Sequence, residues 1–449
     1  MTAVDFPVEA GGRRSSVAFG KAVVADALRG VDPGAADAVL AERDWRKGYP
    51  RHFRALVEAG LGEEAYGIAS AGLDSVRKRI PLADSLADGP ERPLETVTVD
   101  GGGRPETEVT LPVRGELLRG DGLARQLETW VADGVIEPSC SDIIHQVMKN
   151  PDMLHLGDQR MVVLGAGAEM GPLTALLGWG NTVIGVDRPQ VQPRLLAAAR
   201  ETAGTLIAPA HGADLRNDLA AVAQWLESVD RRLIIGNYVY APGGLHTLLS
   251  IAVDALGSYL TSRRDDTALA FLATPTDVFA VPPEVVAQAS DRFGHRSRSA
   301  RLTGTLSGGR LLRRNYPEDA DPGINDSIVL QQGPNYALAK RIQRWRATVA
   351  RHERTVAFSV APATRTRSVT NNRLLAAAYA GAHRFDVDVF EPETARKLMA
   401  LLLVHQIQNP RPPAAESWRD EAFGAAHGGL WRSAYAPRSA LPLAIVLPK

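Results

Sequence analysis

Tyr336 and Lys340 stand four residues apart in NYALAKR, one turn along a single face if the segment is helical. A phenol with a pKa near about 10 is a poor base at neutral pH. An ammonium one turn away favours the phenolate and lowers that value. Such a pair can exchange a proton with a carbonyl or alcohol oxygen while a hydride moves at the neighbouring carbon. A second constellation lies upstream. VLGAGAEMGP sets Gly165, Gly167 and Gly171 in the pattern G-x-G-x-x-x-G, with Ala168, Glu169 and Met170 in the same loop. In a strand–turn–helix, the first glycine serves a tight turn and the second lets the backbone approach a pyrophosphate. The third allows close helix–strand packing, and the following helix N-terminus meets the anion. Asp187 comes 22 positions after Gly165, where a carboxylate can accept from adenosine ribose hydroxyls. Arg188 follows at once and could reach toward a ribose phosphate.

These residues need strands and helices to hold them, and the sequence from Arg160 onward supplies both. MVVLG, NTVIGVD, TLIAP, RRLIIGN, ALAFLAT and TVAFSVAP are short apolar runs. Between them lie helical stretches, among them AAVAQWLES, LHTLLSIAVDALGSYL and YALAKRIQRWRATVA. Short apolar strands alternating with helices imply βαβ units and a parallel sheet, with right-handed crossovers covering both faces. The expected fold class is α/β, a Rossmann-type doubly wound parallel sheet behind an N-terminal, mostly helical section.

The boundaries expected from the sequence are four. Residues 1–20 are read as a flexible N-terminus. Residues 21–157 are read as the mostly helical section, with Phe53, Leu56, Val57 and Leu61 on one helical face and a break at 81–93. Within it, ETVTVDGGGRPETEVTLPV alternates on both sides of glycines and predicts a β-hairpin near 95–113. Residues 158–410 form the dinucleotide-binding catalytic domain, and 411–449 a C-terminal extension.

Four further motifs follow the glycine turn and Asp187 in an order that resembles the short-chain dehydrogenase/reductase superfamily, as a divergent member. GADL carries Asp214 and Leu215 after the third strand. IIGNYVYAPGG carries Asn237 at the end of the fourth. Tyr336 and Lys340 form a Y-x-x-x-K pair, and SVAPATRT carries Pro362 after the sixth strand, with Ala363 where the family has glycine. The resemblance covers about 250 residues. It implies NAD or NADP as cofactor, with NAD(H) preferred through Asp187. It implies hydride transfer between nicotinamide and a carbonyl or alcohol, with Tyr336 as acid/base, Asp214 beside the adenine and Asn237 supporting the cofactor. It also implies a Ser or Thr beside the tyrosine. Thr274 is the best positional match, with Thr276 and Ser327 as alternatives. The family's relay asparagine has no clear counterpart, and His246 is the polar residue of that helix. Two other readings stay open: a cofactor-binding sensor or assembly protein without turnover, and, more distantly, an S-adenosylmethionine methyltransferase.

The segment 275–335 is an insertion of about 60 residues where a short loop is usual for the family. It is rich in arginine: Arg292, Arg296, Arg298, Arg301, Arg310, Arg313 and Arg314. One reading makes it a lid that recognises an anionic substrate, and the other a solvated, flexible loop. Arg365 and Arg367 could face substrate or cofactor phosphate.

Composition bounds the rest. Lys+Arg and Asp+Glu each number 51, which gives no basic footprint for nucleic acid or a membrane surface. A single cysteine, Cys140, excludes an intrachain disulfide and a cysteine-rich zinc site, so no metal is expected. No apolar run reaches membrane-span length, and the N-terminal stretch lacks the apolar core of a secretory signal. A cytoplasmic protein acting on a small molecule is therefore expected, with homo-oligomerisation left open.

Overall fold

The computed structural model describes residues 3–9, 11–87 and 93–447. Its centre is a seven-stranded sheet. In chain order the strands are β1 (Thr96–Asp100), β2 (Arg160–Leu164), β3 (Thr182–Val186), β4 (Thr205–Pro209), β5 (Leu233–Asn237), β6 (Ala268–Ala273) and β7 (Val356–Val360). Across the sheet the order is β1-β4-β3-β2-β5-β6-β7. Strands β2 to β7 run parallel, and β1 alone pairs antiparallel, against β4. The order reverses between β2 and β5, so the loops after these strands diverge and leave a crevice at their C-terminal ends.

Alternate residues of each strand feed two cores. Val162 and Leu164 belong to one, with the Gly244–Arg263 and Pro334–Arg351 helices and the front helices. Met161 and Val163 belong to the other, with the Gly120–Ala132, Pro138–Lys149 and Pro392–Gln408 helices. This period-2 division of near-continuous apolar strands is what a sheet buried on both faces requires.

The front section is as helical as expected, with helices Ser16–Arg29, Pro33–Ala41, Trp45–Ala59 and Glu64–Arg79. It packs on the Pro334–Arg351 helix. Trp345 lies so close over Gly72 that a Cβ there would come within 2.5 Å of the ring. A mid-helix glycine costs about 1 kcal/mol in propensity, and here it permits that approach. The expected break at 81–93 falls partly on 88–92, outside the described residues, and Ala83–Ala87 is a further short helix.

Three boundary expectations are corrected. The opening segment is docked through Val4 and Phe6, while Val8 and residues 11–14 stay exposed, and the Ser16–Arg29 helix begins before residue 20. Val4 is 1% exposed and its N–H donates to the Arg216 carbonyl, and Phe6 packs on Phe19. The hairpin at 95–113 does not form. Residues 96–100 join the main sheet as β1, while Thr110–Val113 pairs with Glu116–Arg119. The glycines between them do not make a turn of their own. The Gly101, Gly102 and Gly103 amides donate to the carbonyls of Gly204, Arg200 and Thr202, an approach that a Cβ at Gly101 would block at 2.0 Å. The insertion 275–335 is a folded unit. Val278–Val281 pairs with Gly323–Asp326, helices Pro283–Gly294 and Arg298–Leu306 lie between, and the Tyr316 hydroxyl donates to the Trp431 carbonyl of the C-terminal extension. Among the described residues, no helix is long and apolar enough to cross a membrane.

Candidate active site

A cleft of about 920 Å³ opens at the C-terminal ends of β2 to β7. The glycine turn forms its floor. Gly165 has φ +82°, and a Cβ there would meet the Tyr238 carbonyl oxygen and the Val239 backbone at 2.9 Å. Glycine is the residue that adopts such a backbone at no steric cost. The Gly167 amide donates to Asp187 Oδ2 at 2.7 Å, and Asp187 Oδ1 accepts from the Arg188 amide at 2.8 Å. The carboxylate therefore ties the turn to the end of β3. Gly165, Gly167, Ala168, Glu169, Met170, Asp187 and Arg188 all line the cleft. Gly171 does not. Its amide closes the turn on the Ala168 carbonyl at 3.0 Å. The helix behind the turn differs from expectation. It spans only Leu173–Gly178 and starts past Gly171, because Pro172 precedes it and the turn runs long. The turn is closed on itself and on β3, with the Gly165 and Ala166 amides donating to the Val186 carbonyl and the Ala168 amide to the Gly165 carbonyl.

Asp214 and Leu215 line the same end, and Asp214 Oδ1 accepts from the Arg216 amide at 2.9 Å. Asn237, at the tip of β5, is 2% exposed and lines the crevice where the strand order reverses. Pro362 lines it after β7. Arg367 does too, pairing with Glu169 at 3.3 Å while its backbone N–H donates to Glu169 Oε2 at 2.8 Å. This contact bridges the loops after β2 and β7 across the cleft. Arg365 points away, to Glu391 at 2.9 Å.

Tyr336, Lys340 and Thr274 meet in the same cleft. The first two sit on the Pro334–Arg351 helix, which Arg344 pins from behind through Asp277 at 2.8 Å and Glu421 at 2.7 Å. Burial pushes the Tyr336 phenol above its ordinary value, against the Thr274 side chain, which lies close enough to favour the phenolate. Burial also pushes the Lys340 ammonium down to about 8. Lys340 Nζ donates to the Leu272 carbonyl at 3.1 Å and to Gln343 Oε1 at 3.2 Å. Gln343 passes the network on to Ser250 at 3.3 Å and Asn237 at 3.5 Å. Of the other hydroxyl candidates, Thr276 bonds to Thr274 at 2.9 Å and Ser327 turns away into the insertion, on Asn325.

Several site residues had no sequence signal. Arg194 lines the end of the cleft near Asp187 and donates to the Gly167 carbonyl at 3.3 Å. Tyr240 and Tyr379 line the Tyr336 end. His246, the polar residue already noted in its helix, is fully buried beside the cleft, its ring 5.2 Å from that of Tyr336. Only Tyr240 lay within a motif, three residues after Asn237. The seven insertion arginines are absent from the cleft lining. Arg292, for one, is spent on the Arg432 and Asp133 carbonyls. The anion-recognising lid therefore has no support in their positions.

No family model matches the chain, and no curated protein matches it either.

Proposed function

We propose that the chain is an oxidoreductase of short-chain dehydrogenase/reductase type, moving hydride between a nicotinamide cofactor and a carbonyl or alcohol substrate, with Tyr336 as the acid/base. The observation that carries this reading is the meeting of Tyr336, Thr274 and Lys340 with the glycine turn and Asp187 in one cleft. The order of the six parallel strands agrees with it. Dinucleotides bind Rossmann-type sheets at the point where such an order reverses. The floor fits the cofactor because the bare turn at Gly165 and Gly167 lines a cleft of about 920 Å³ that runs on to Tyr336 and Lys340.

When bound, the nicotinamide supplies or accepts the hydride. Tyr336 rests protonated, since burial raises its phenol, and can give its proton to the oxygen that gains negative charge. Thr274 supports the phenolate left behind. Lys340 adds positive charge in the same cleft, its ammonium held by the Leu272 carbonyl and Gln343.

At the adenosine end the balance favours NADP(H) over NAD(H). Each oxygen of Asp187 already accepts from a backbone N–H, which weakens its claim on a free ribose hydroxyl. Arg188 and Arg194 line the same end and offer guanidinium groups to a 2′-phosphate. Titration with NADPH and NADH tests this, with tenfold or tighter NADPH binding expected and Arg194→Ala narrowing the gap. Tyr336→Phe should leave cofactor affinity unchanged and lower turnover by roughly 10²–10⁴-fold. Normal turnover in that variant would remove Tyr336 from the chemistry.

One observation favours a second reading. Lys340 is engaged by Leu272 and Gln343 rather than by the tyrosine hydroxyl. A nicotinamide-binding sensor would not need that ammonium nearer. Tight cofactor binding without turnover on any carbonyl compound would support it.

A further inference from the structure

The Tyr336 end of the cleft differs from the adenosine end in charge and in shape. Seven charged side chains line the whole cleft among the described residues. Asp187, Arg188, Arg194 and Asp214 follow β3 and β4, at the far end. Glu169 and Arg367 neutralise each other at 3.3 Å. Lys340 is left, and its ammonium is turned to a carbonyl and an amide oxygen. A carboxylate or phosphate brought to Tyr336 would find no uncommitted guanidinium at this end of the cleft. Removing an anion from water without a partner is strongly unfavourable.

What this end offers is flat and apolar surface. The Tyr240 ring stands 6.4 Å from that of Tyr336, and Tyr379 lines the same space. Val329, Val369 and Leu375 form one buried cluster, against which Tyr379 packs, and all four line the cleft. The polar groups interleaved here, Gln331, Gln332 and Asn371, are neutral. Aromatic faces and branched aliphatic walls with a few neutral hydrogen-bonding groups suit a ring system that carries one polar function.

Resting on the oxidoreductase reading above, we infer that the substrate is an uncharged, ring-bearing ketone or the corresponding secondary alcohol, rather than an anionic metabolite. In the reducing direction, hydride adds to the carbonyl carbon and the Tyr336 proton to its oxygen, giving the alcohol and oxidised cofactor. The reverse step returns both.

A matched pair of probes isolates charge from shape: 2-acetonaphthone and 6-acetyl-2-naphthoate share the ring and the carbonyl and differ by one carboxylate. Their affinities for the full chain saturated with NADP+, which has no hydride to give a ketone, are measured by calorimetry, so the readout does not depend on turnover. The neutral ketone is expected to bind at least tenfold tighter. Gln331→Arg, at an exposed position lining this end, should narrow that ratio by admitting the carboxylate. Equal or tighter binding of the carboxylate to the unsubstituted protein overturns the inference, as does binding of neither probe. Failure of NADPH and NADH to bind overturns the oxidoreductase reading instead, and is scored in a separate titration before either ketone is added.

Discussion

Lys340 carries the pH dependence of the proposed chemistry. Its ammonium, pushed down to about 8 by burial, is charged below that pH and neutral above it. A step that draws on its charge therefore fades as pH rises through about 8. The pH profile of kcat/KM reports groups of the free enzyme, so the wild-type profile should fall above about pH 8. Lys340→Met should lower kcat/KM throughout and abolish that inflection. A variant profile with the same basic limb would detach Lys340 from catalysis. Gly167 is the complementary test at the floor. A Cβ there would lie 2.5 Å from Val191 Cγ1 and 3.1 Å from Asp187 Oδ2. Gly167→Val should abolish cofactor binding, read by fluorescence titration, and lower the melting temperature as Val191 is displaced, while a cooperative melt is retained. Undiminished affinity would mean that the dinucleotide lies elsewhere. These residues were legible because their signals are local: four-residue spacing for Tyr336 and Lys340, glycine placement after an apolar run for the turn. Arg194 and Tyr379 were not, because tertiary packing alone brings them to the cleft.

At the scale of elements, alternation identifies a strand but not its partner. Residues 96–100 and 110–113 both read as strands, and both are. Pairing them with each other assumed that the intervening glycines make a turn, whereas those amides are used by the loop around Gly204. The C-terminal extension shows the same limit, since its main anchor joins residues nearly 300 positions apart. Glu137, 4% exposed, accepts from Arg432 Nε at 2.8 Å and Nη2 at 2.7 Å, and from His427 Nε2 at 2.9 Å. His427 Nδ1 in turn accepts from the Gly429 amide at 3.0 Å, consistent with a neutral ring protonated on Nε2. Burial alone would raise the Glu137 carboxyl, but the hydrogen bonds from His427 and Arg432 prevail and hold it down at about 2. A carboxyl with a depressed folded-state pKa contributes stability that is present above its unfolded value, about 4.5. That contribution is lost as pH falls toward 2. Glu137→Gln leaves a buried guanidinium without its counter-charge and should cost about 3–5 kcal/mol in urea unfolding at neutral pH. The gap between wild type and variant should shrink between about pH 4.5 and 2. A cost below about 1 kcal/mol would show that the extension is held by its apolar contacts.

Over the whole molecule, the region expected at 158–410 shares its sheet and one of its cores with chain from outside it. Both edges of its sheet are closed by chain from outside it. β1, from the front section, pairs with β4 along all five of its residues. On the far side, the Val360 carbonyl of β7 accepts from the Ala426 amide at 3.0 Å, while Gln406, from within the region, covers the Phe358 amide at 2.7 Å. One core is shared in the same way, for Val24, Leu28, Phe53 and Leu73 are each 0–1% exposed in a single cluster with Ile235, Phe271 and Ile342. Each such side chain loses about 1.5–3 kcal/mol if left exposed, against a net stability of about 5–15 kcal/mol for a typical fold. A fragment spanning 158–410 would bare the apolar face of the Pro334–Arg351 helix and leave the β4 edge unpaired, a ready template for association. It should therefore be insoluble, or lack a cooperative unfolding transition, when expressed alone. Co-expression with 1–157 and 411–449 as separate chains should restore a cooperative transition, because the missing contacts are non-covalent. A monomeric 158–410 that melts cooperatively by itself would show that the front section is an accessory cover. The sheet would then have to be stable with one edge and one helical face open to water.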